Sequence, residues 1–434
     1  MRLDRILAAT GVALLAASGA ALPLAPAGAS FLPPGNTNAR IVWSSSRPQP
    51  APINENAGEM GLWTVDPTTV TCTSGTTPCT AWNQGDTSEL TGFDSVHCPN
   101  GNNDDEPFYS PNGDKVVYRS DCNGTNHGIY EVPAGPGLQV GTPLTTDGAE
   151  DSWPSFAPDG HTVIFESVHG HQQLWKVDDA NIPGGASLVY SDPSSDALNP
   201  VYDPQDQTKI VFVSSSGAHD EIIMLDTTAT TLTNLSRLSA GETGCTTPVG
   251  TPFGPNCSNP TAWNDDKPDV ASDAGRIVFQ STRPLAVGGA VQTKPQIWTF
   301  LFGNGGATAG TNPMFLFGGT TPTGFSDSNP AYSPQNDNVV FQRTIGAGDI
   351  EDFSMGVSSE NHGNGAPKDN SFITGAAPQD ITPNWGSKPG GNPLLPEAPY
   401  AILIPGASLV LAGGMVAVRR RRNHTTLPSG PAAA

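Results

Sequence analysis

Asp151-Ser152-Trp153-Pro154-Ser155-Phe156-Ala157-Pro158-Asp159-Gly160 is followed by Thr162-Val163-Ile164-Phe165-Glu166-Ser167 and then by Gln173-Leu174-Trp175-Lys176-Val177-Asp178. β-Branched and aromatic runs on either side of a Pro-Asp-Gly turn predict a short strand ending near Phe156 and a buried strand through Phe165. A third strand then lies around Trp175, with an outer edge strand beyond it. A four-stranded unit of this kind cannot bury both of its faces alone. It needs copies of itself on either side.

The copies are present. Glu106-Pro107-Phe108-Tyr109-Ser110-Pro111-Asn112-Gly113 leads to Val116-Val117-Tyr118, and Asn199-Pro200-Val201-Tyr202-Asp203-Pro204 leads to Ile210-Val211-Phe212. Lys267-Pro268-Asp269-Val270 leads to Ile277-Val278-Phe279 and Ile297-Trp298. Asn329-Pro330-Ala331-Tyr332-Ser333-Pro334 leads to Val339-Val340-Phe341. Two half-units stand at opposite ends. Ile41-Val42-Trp43-Ser44 with Leu62-Trp63-Thr64-Val65-Asp66 lacks an opening strand, and Asp380-Ile381-Thr382-Pro383-Asn384-Trp385-Gly386 is an opening strand alone. Joined, they make one more unit, so the chain ends are expected to pair and close a ring that has no long free edges. The expected fold class is all-β: a six-bladed β-propeller closed by pairing of the N- and C-terminal strands.

The pattern Pro-x-Phe-x-Pro-Asp-Gly, then a Val-Ile-Phe strand and Leu-Trp, resembles the WD40-like repeat of the TolB propeller domain over about residues 39–387. Blade five departs from it, with Ser272-Asp273-Ala274-Gly275 as its turn. The N-terminal α/β domain that TolB also carries has no room between Ser30 and Ile41. The resemblance implies the propeller fold and a periplasmic envelope role.

The two ends read as targeting signals. Arg2 and Arg5, an apolar run from Ile6 to about Leu22, and Ala27-Gly28-Ala29 form a secretory signal over residues 1–29, with cleavage expected after Ala29. Residues 30–38 are a short linker, 39–387 the propeller, and 388–399 a Pro/Gly linker. Tyr400 to Val418 carries no charged residue and at about 1.5 Å per residue reaches about 28 Å, enough to span a bilayer as one transmembrane helix. Arg419 to Arg422 open a basic tail, residues 419–434, which the positive-inside rule keeps in the cytoplasm. The propeller is therefore expected outside the cell membrane. Leu395-Pro396-Glu397-Ala398-Pro399 before the span also resembles a sortase sorting signal, with Ala398 and Pro399 where Thr and Gly would stand, so cell-wall attachment is the second expectation.

Gly 49 and Pro 42 suit many short strands and turns, and a formal charge of -21 repels phosphate backbones, so nucleic acid is excluded as a partner. The expected partners are a protein or extracellular ligand, with the membrane reached through the C-terminal helix. In an exported chain the six cysteines are expected to be oxidised as sequence neighbours: Cys72 with Cys79, Cys98 with Cys122, and Cys245 with Cys257.

No Gly-x-Ser-x-Gly occurs, so a serine-peptidase reading fails. His161, His169 and His171 cluster in one blade but on separate turns, where surface positions explain them better than a metal site. Trp63, Trp175, Trp298 and Tyr130 recur at the third-strand position, as core packing would require. Asp104, Asp151, Asp196, Asp265, Asp327 and Asp380 stand at the entry to each opening strand. Sixfold closure would set them round the channel mouth as an acidic ring able to take a divalent cation or a basic peptide; alternatively each carboxylate caps a neighbouring turn. No other cofactor is implied. The expected function is a non-catalytic binding scaffold at the bacterial cell surface, the alternative being a propeller enzyme of lyase or glycoside hydrolase type acting on extracellular polymers.

Overall fold

The computed structural model describes residues 39–387, leaving out 47–58, 67–86, 93–97, 99–102, 237–245, 252–262, 285–291, 302–313, 317–324, 345–349, 358–362, 370–378 and a few shorter gaps. The expected signal sequence, the expected linkers at 30–38 and 388–399, and the expected transmembrane span and basic tail all lie outside the described residues. Among those described, no helix is long and apolar enough to cross a membrane.

Six antiparallel sheets are described. The first joins the two chain ends: β25 (Asp380–Ser387), β1 (Ala39–Ser45), β2 (Gly61–Val65) and β3 (Thr87–Glu89), in that order. Next come β4 (Asp104–Tyr109), β5 (Lys115–Ser120), β6 (Gly128–Pro133) and β7 (Thr142–Pro143), then β8 (Asp151–Phe156), β9 (Thr162–Val168), β10 (Gln172–Asp178) and β11 (Ser187–Tyr190). The fourth has a fifth strand: β12 (Asp196–Asp203), β13 (Asp206–Ser215), β14 (Asp220–Asp226), β15 (Thr231–Asn234) and β16 (Thr246–Pro248). The last two are β17 (Asp265–Val270), β18 (Arg276–Ser281), β19 (Gln296–Leu301) and β20 (Met314–Phe315), and β21 (Ser326–Tyr332), β22 (Asn338–Thr344), β23 (Ile350–Val357) and β24 (Gly363–Asp369).

The opening strand of each sheet packs on that of the next, and β21 packs on β25, so the sheets stand as the blades of a propeller around one axis. Closure is by hydrogen bonding of the two chain ends, with Ile41 opposite Trp385 and Ala39 opposite Ser387.

Apolar residues form these strands because both faces of every blade are covered. Phe165, Phe212, Phe279 and Phe341, one in the second strand of each of four blades, are at most 1% exposed. A separate hydrophobic cluster fills each junction between neighbouring blades, such as Val201, Ile222, Phe279 and Trp298 in one and Ile41, Trp63, Val340 and Trp385 in another. Trp63, Trp298 and Tyr130 are buried in these clusters and Trp175 is half-buried against one of them.

The turn after four of the opening strands keeps one geometry while its sequence varies. Gly113, Gly160, Ala274 and Asn336 all take positive φ, and each donates its N–H to the carbonyl three residues back. Blade five thus makes the same turn as Pro-Asp-Gly, with alanine in the left-handed position.

Cys98 and Cys122 form a disulfide. Cys72, Cys79, Cys245 and Cys257 lie outside the described residues.

Candidate functional site: the axial channel

Each opening strand breaks at one residue. Glu106, Trp153, Asn199, Lys267, Asn329 and Thr382 all precede a proline and all have φ between 48° and 54°. The ladder slips at each of these places, between Asp105 and Phe108 in one blade and between Asp266 and Asp269 in another. Left-handed backbone costs a non-glycine residue about 1–2 kcal/mol, so each corner needs compensation from its surroundings.

That compensation comes mostly from the preceding blade. The N–H of Trp153 donates to Glu106 Oε2 at 2.7 Å, that of Asn199 to Glu166 Oε2 at 2.8 Å, and that of Asn329 to Gln280 Oε1 at 3.1 Å. Thr382 N–H reaches Gln342 Oε1 at 3.0 Å, and Glu106 N–H reaches Thr382 Oγ1 at 3.2 Å. Lys267 N–H turns instead to Asp266 Oδ1, at 2.7 Å.

The corner side chains bind one another as well. Arg119 Nη1 donates to Glu106 Oε1 at 3.1 Å and Asn199 Nδ2 to Asp266 Oδ1 at 2.8 Å. Lys267 Nζ donates to Asn199 Oδ1 and lies 3.2 Å from the Trp153 ring centroid, a cation–π contact. Burial pushes the Glu166 carboxyl up to about 7, against the opposing pull of Lys267. These corners wall a narrow axial space of about 70 Å³.

A wider space of about 390 Å³ adjoins it, and Phe108, Val201, Asp269 and Asn384 face both. Aromatic residues such as Tyr202 and Trp385, together with Pro111, Pro158, Pro204 and Pro334, make this second space a largely apolar funnel.

The six aspartates expected at the channel mouth border neither axial space. Asp104, Asp151, Asp265, Asp327 and Asp380 are at most 1% exposed, and Asp196 is half-buried. Five stand opposite a serine of the second strand, as Asp104 opposite Ser120 and Asp380 opposite Ser45, and Asp327 stands opposite Arg343. Asp265 accepts from Ser281 Oγ at 2.6 Å and from Arg283 Nε at 2.9 Å. Asp327 accepts from Arg343 at 2.6 and 2.7 Å. Asp196 does cap a backbone N–H, that of Gln172 at 3.0 Å. A desolvated carboxylate costs several kcal/mol without donors, and the repeat supplies those donors on the adjacent strand. Asp151, raised to about 6 by burial, borders a separate recess of about 290 Å³ beside His127 and Asp147.

The three histidines go to separate partners: His161 to Asp179 at 3.0 Å, His171 to Ser191 at 3.0 Å, and His169 against the Trp175 ring. Among the described residues no group of three His, Cys, Asp or Glu side chains is disposed to hold a metal ion.

Sequence reasoning missed the corners. Their signal was the residue before each repeated proline, but X-Pro favours extended backbone at X, so nothing local announced the left-handed turn.

No protein-family model matches the chain, and no curated protein matches it. Among solved structures it is similar to TolB from Acinetobacter baumannii, with 17% identity, a TM-score of 0.52, and coverage of 81% of this chain and 68% of that one. A putative TolB from Agrobacterium tumefaciens gives 14% identity and a TM-score of 0.40, covering 65% of this chain and 90% of that one. An oligogalacturonate lyase in complex with manganese gives 14% identity and a TM-score of 0.38, covering 75% and 73%. The chain has the TolB-type β-propeller fold.

Proposed function

We propose that this protein is an exported, membrane-anchored, six-bladed propeller acting as a non-catalytic binding scaffold at the bacterial cell surface, with its ligand or partner protein entering the axial funnel. The observation that carries this reading is the funnel itself: about 390 Å³, apolar and aromatic, and mounted on strands tied to one another around the ring. Concave apolar spaces with few polar groups are where ligands bind.

The placement rests on the sequence of the ends: the signal pattern at 1–29, the span at 400–418 and the arginines at 419–422. Ala39 pairs with Ser387, and Ser387 directly follows Trp385 and Gly386 of the funnel wall, so both chain ends leave the ring beside the funnel. With the span in the bilayer, the linker 388–399 would hold the funnel rim within about 40 Å of it.

A photo-cross-linking residue placed at Gln205 or Ser333 in intact cells tests the binding reading against one at Leu188, which is 52% exposed on outer strand β11. Adducts confined to the funnel positions are expected, on a protein that fractionates with membrane and whose mature mass begins near Ser30. Equal adducts at Leu188, or none anywhere, would sink the reading. Cleavage of an extracellular polysaccharide by the purified protein, lost on filling the funnel, would favour the lyase or glycoside hydrolase alternative.

A further inference from the structure

In four blades the residue after the corner proline lines both the narrow space and the funnel: Phe108, Val201, Asp269 and Asn384. Blade five alone places a charge there. Among the described residues, Asp269 is the one charged residue lining the funnel, and it faces both axial spaces.

The carboxylate is held in position by neutral donors. Its Oδ2 accepts the Tyr332 N–H at 2.7 Å, and the Val270 N–H is its second backbone donor. Neither donor carries a charge that would compensate the ion, and burial raises its pKa to about 7. The nearest cation along the chain, Lys267, is committed to Asn199 and the Trp153 ring. A carboxylate in such a setting is neutralised either by a proton or by a cation arriving from outside, and the open funnel gives a cation access to it.

The surroundings narrow the type of cation. A ligand passing the proline and aromatic wall needs an apolar stem to match it. With backbone N–H groups already on the carboxylate, the two-pronged edge that a guanidinium prefers is partly taken, whereas an ammonium needs a single oxygen.

Building on the binding reading, we propose that the funnel takes a primary alkylammonium, the side chain of a lysine on a partner protein, with its methylenes along the apolar wall and its nitrogen at Asp269.

The test uses the full mature chain with n-hexylammonium, hexylguanidinium, 1-hexanol and calcium chloride as probes, read by tryptophan fluorescence because Trp385 lines the funnel. Hexylammonium should bind saturably, tighter than hexanol and hexylguanidinium. Asp269→Asn, which keeps an acceptor for the Tyr332 N–H, should weaken hexylammonium at least tenfold and leave hexanol unchanged. Hexylammonium binding no tighter than hexanol, or unaffected by Asp269→Asn, overturns the proposal, as does calcium displacing it stoichiometrically. Should Asp269→Asn fail to fold, the hexylammonium-to-hexanol comparison on the unaltered chain decides, with Gln205→Trp, at an exposed position of the funnel wall, expected to weaken both by crowding the funnel. Funnel-specific cross-links in cells together with an inert hexylammonium would leave the binding reading standing and remove this one.

Discussion

The narrow and wide ends of the axial channel are built from the same six strands and do opposite things with polarity. At the narrow end Glu106, Asn199, Lys267 and Thr382 satisfy one another and the backbone N–H groups of the strained corners. At the wide end the wall is largely apolar and, among the described residues, a single carboxylate, Asp269, lines it, accepting from the backbone N–H groups of Tyr332 and Val270. A polar lining alone therefore does not mark a binding site. At the corners the polar groups hold blade to blade, and the sparse end is the one left free to receive something.

The comparison breaks hardest where charge is buried behind the corners. Arg343→Leu strands Asp327 without its counter-ion and should cost about 3–5 kcal/mol in urea denaturation, most of it restored by adding Asp327→Asn. Replacing Cys98 and Cys122 by serine should cost about 2–4 kcal/mol in the same measurement, since that bridge staples the segment leading into β4.

Stability against pH separates the two ends directly. Glu166 behind the corners and Asp269 at the funnel both rise from ordinary values to about 7, so the folded state keeps protons that the unfolded chain has already lost. Their contribution is full below the ordinary carboxylate range and is lost as pH climbs through about 7. Urea midpoints from about pH 4.5 to 8 should fall across that window. Glu166→Gln should remove one share of the slope and Asp269→Asn the other, and bound hexylammonium should flatten only the second.

Smaller effects sharpen the contrast further. Thr230→Gly relieves an exposed left-handed residue outside the channel and should gain about 1 kcal/mol or less. Thr382→Gly relieves the same strain but removes the acceptor for the Glu106 N–H and the Ser44 contact, so no gain is expected. Gln205→Ala at the funnel rim should change stability by less than about 0.5 kcal/mol, as an exposed position would.

Much of the fold was legible because its signals are local and repeated. Runs such as Val163-Ile164-Phe165 name a strand covered on both faces, Pro158-Asp159-Gly160 names a hairpin, and the split unit at Ile41 and Trp385 names the closure. The pairing of Cys98 with Cys122 was readable from their proximity in sequence. The site was less legible. The repeated aspartates stood out, yet their serine and arginine partners lie about sixteen residues away across a hairpin, and only the strand register shows that the carboxylates turn to them. Asp269 sat unremarked in the opening strand of blade five, although it faces the funnel.

The sequence by itself determined that this chain is a ring of repeated β units, because burying two faces of a sheet requires apolar residues at fixed places in every unit. The tertiary structure decided which polar residues meet each other and which one is left facing open space. Those outcomes depend on side chains brought together from different blades, and no short stretch of sequence contains both partners.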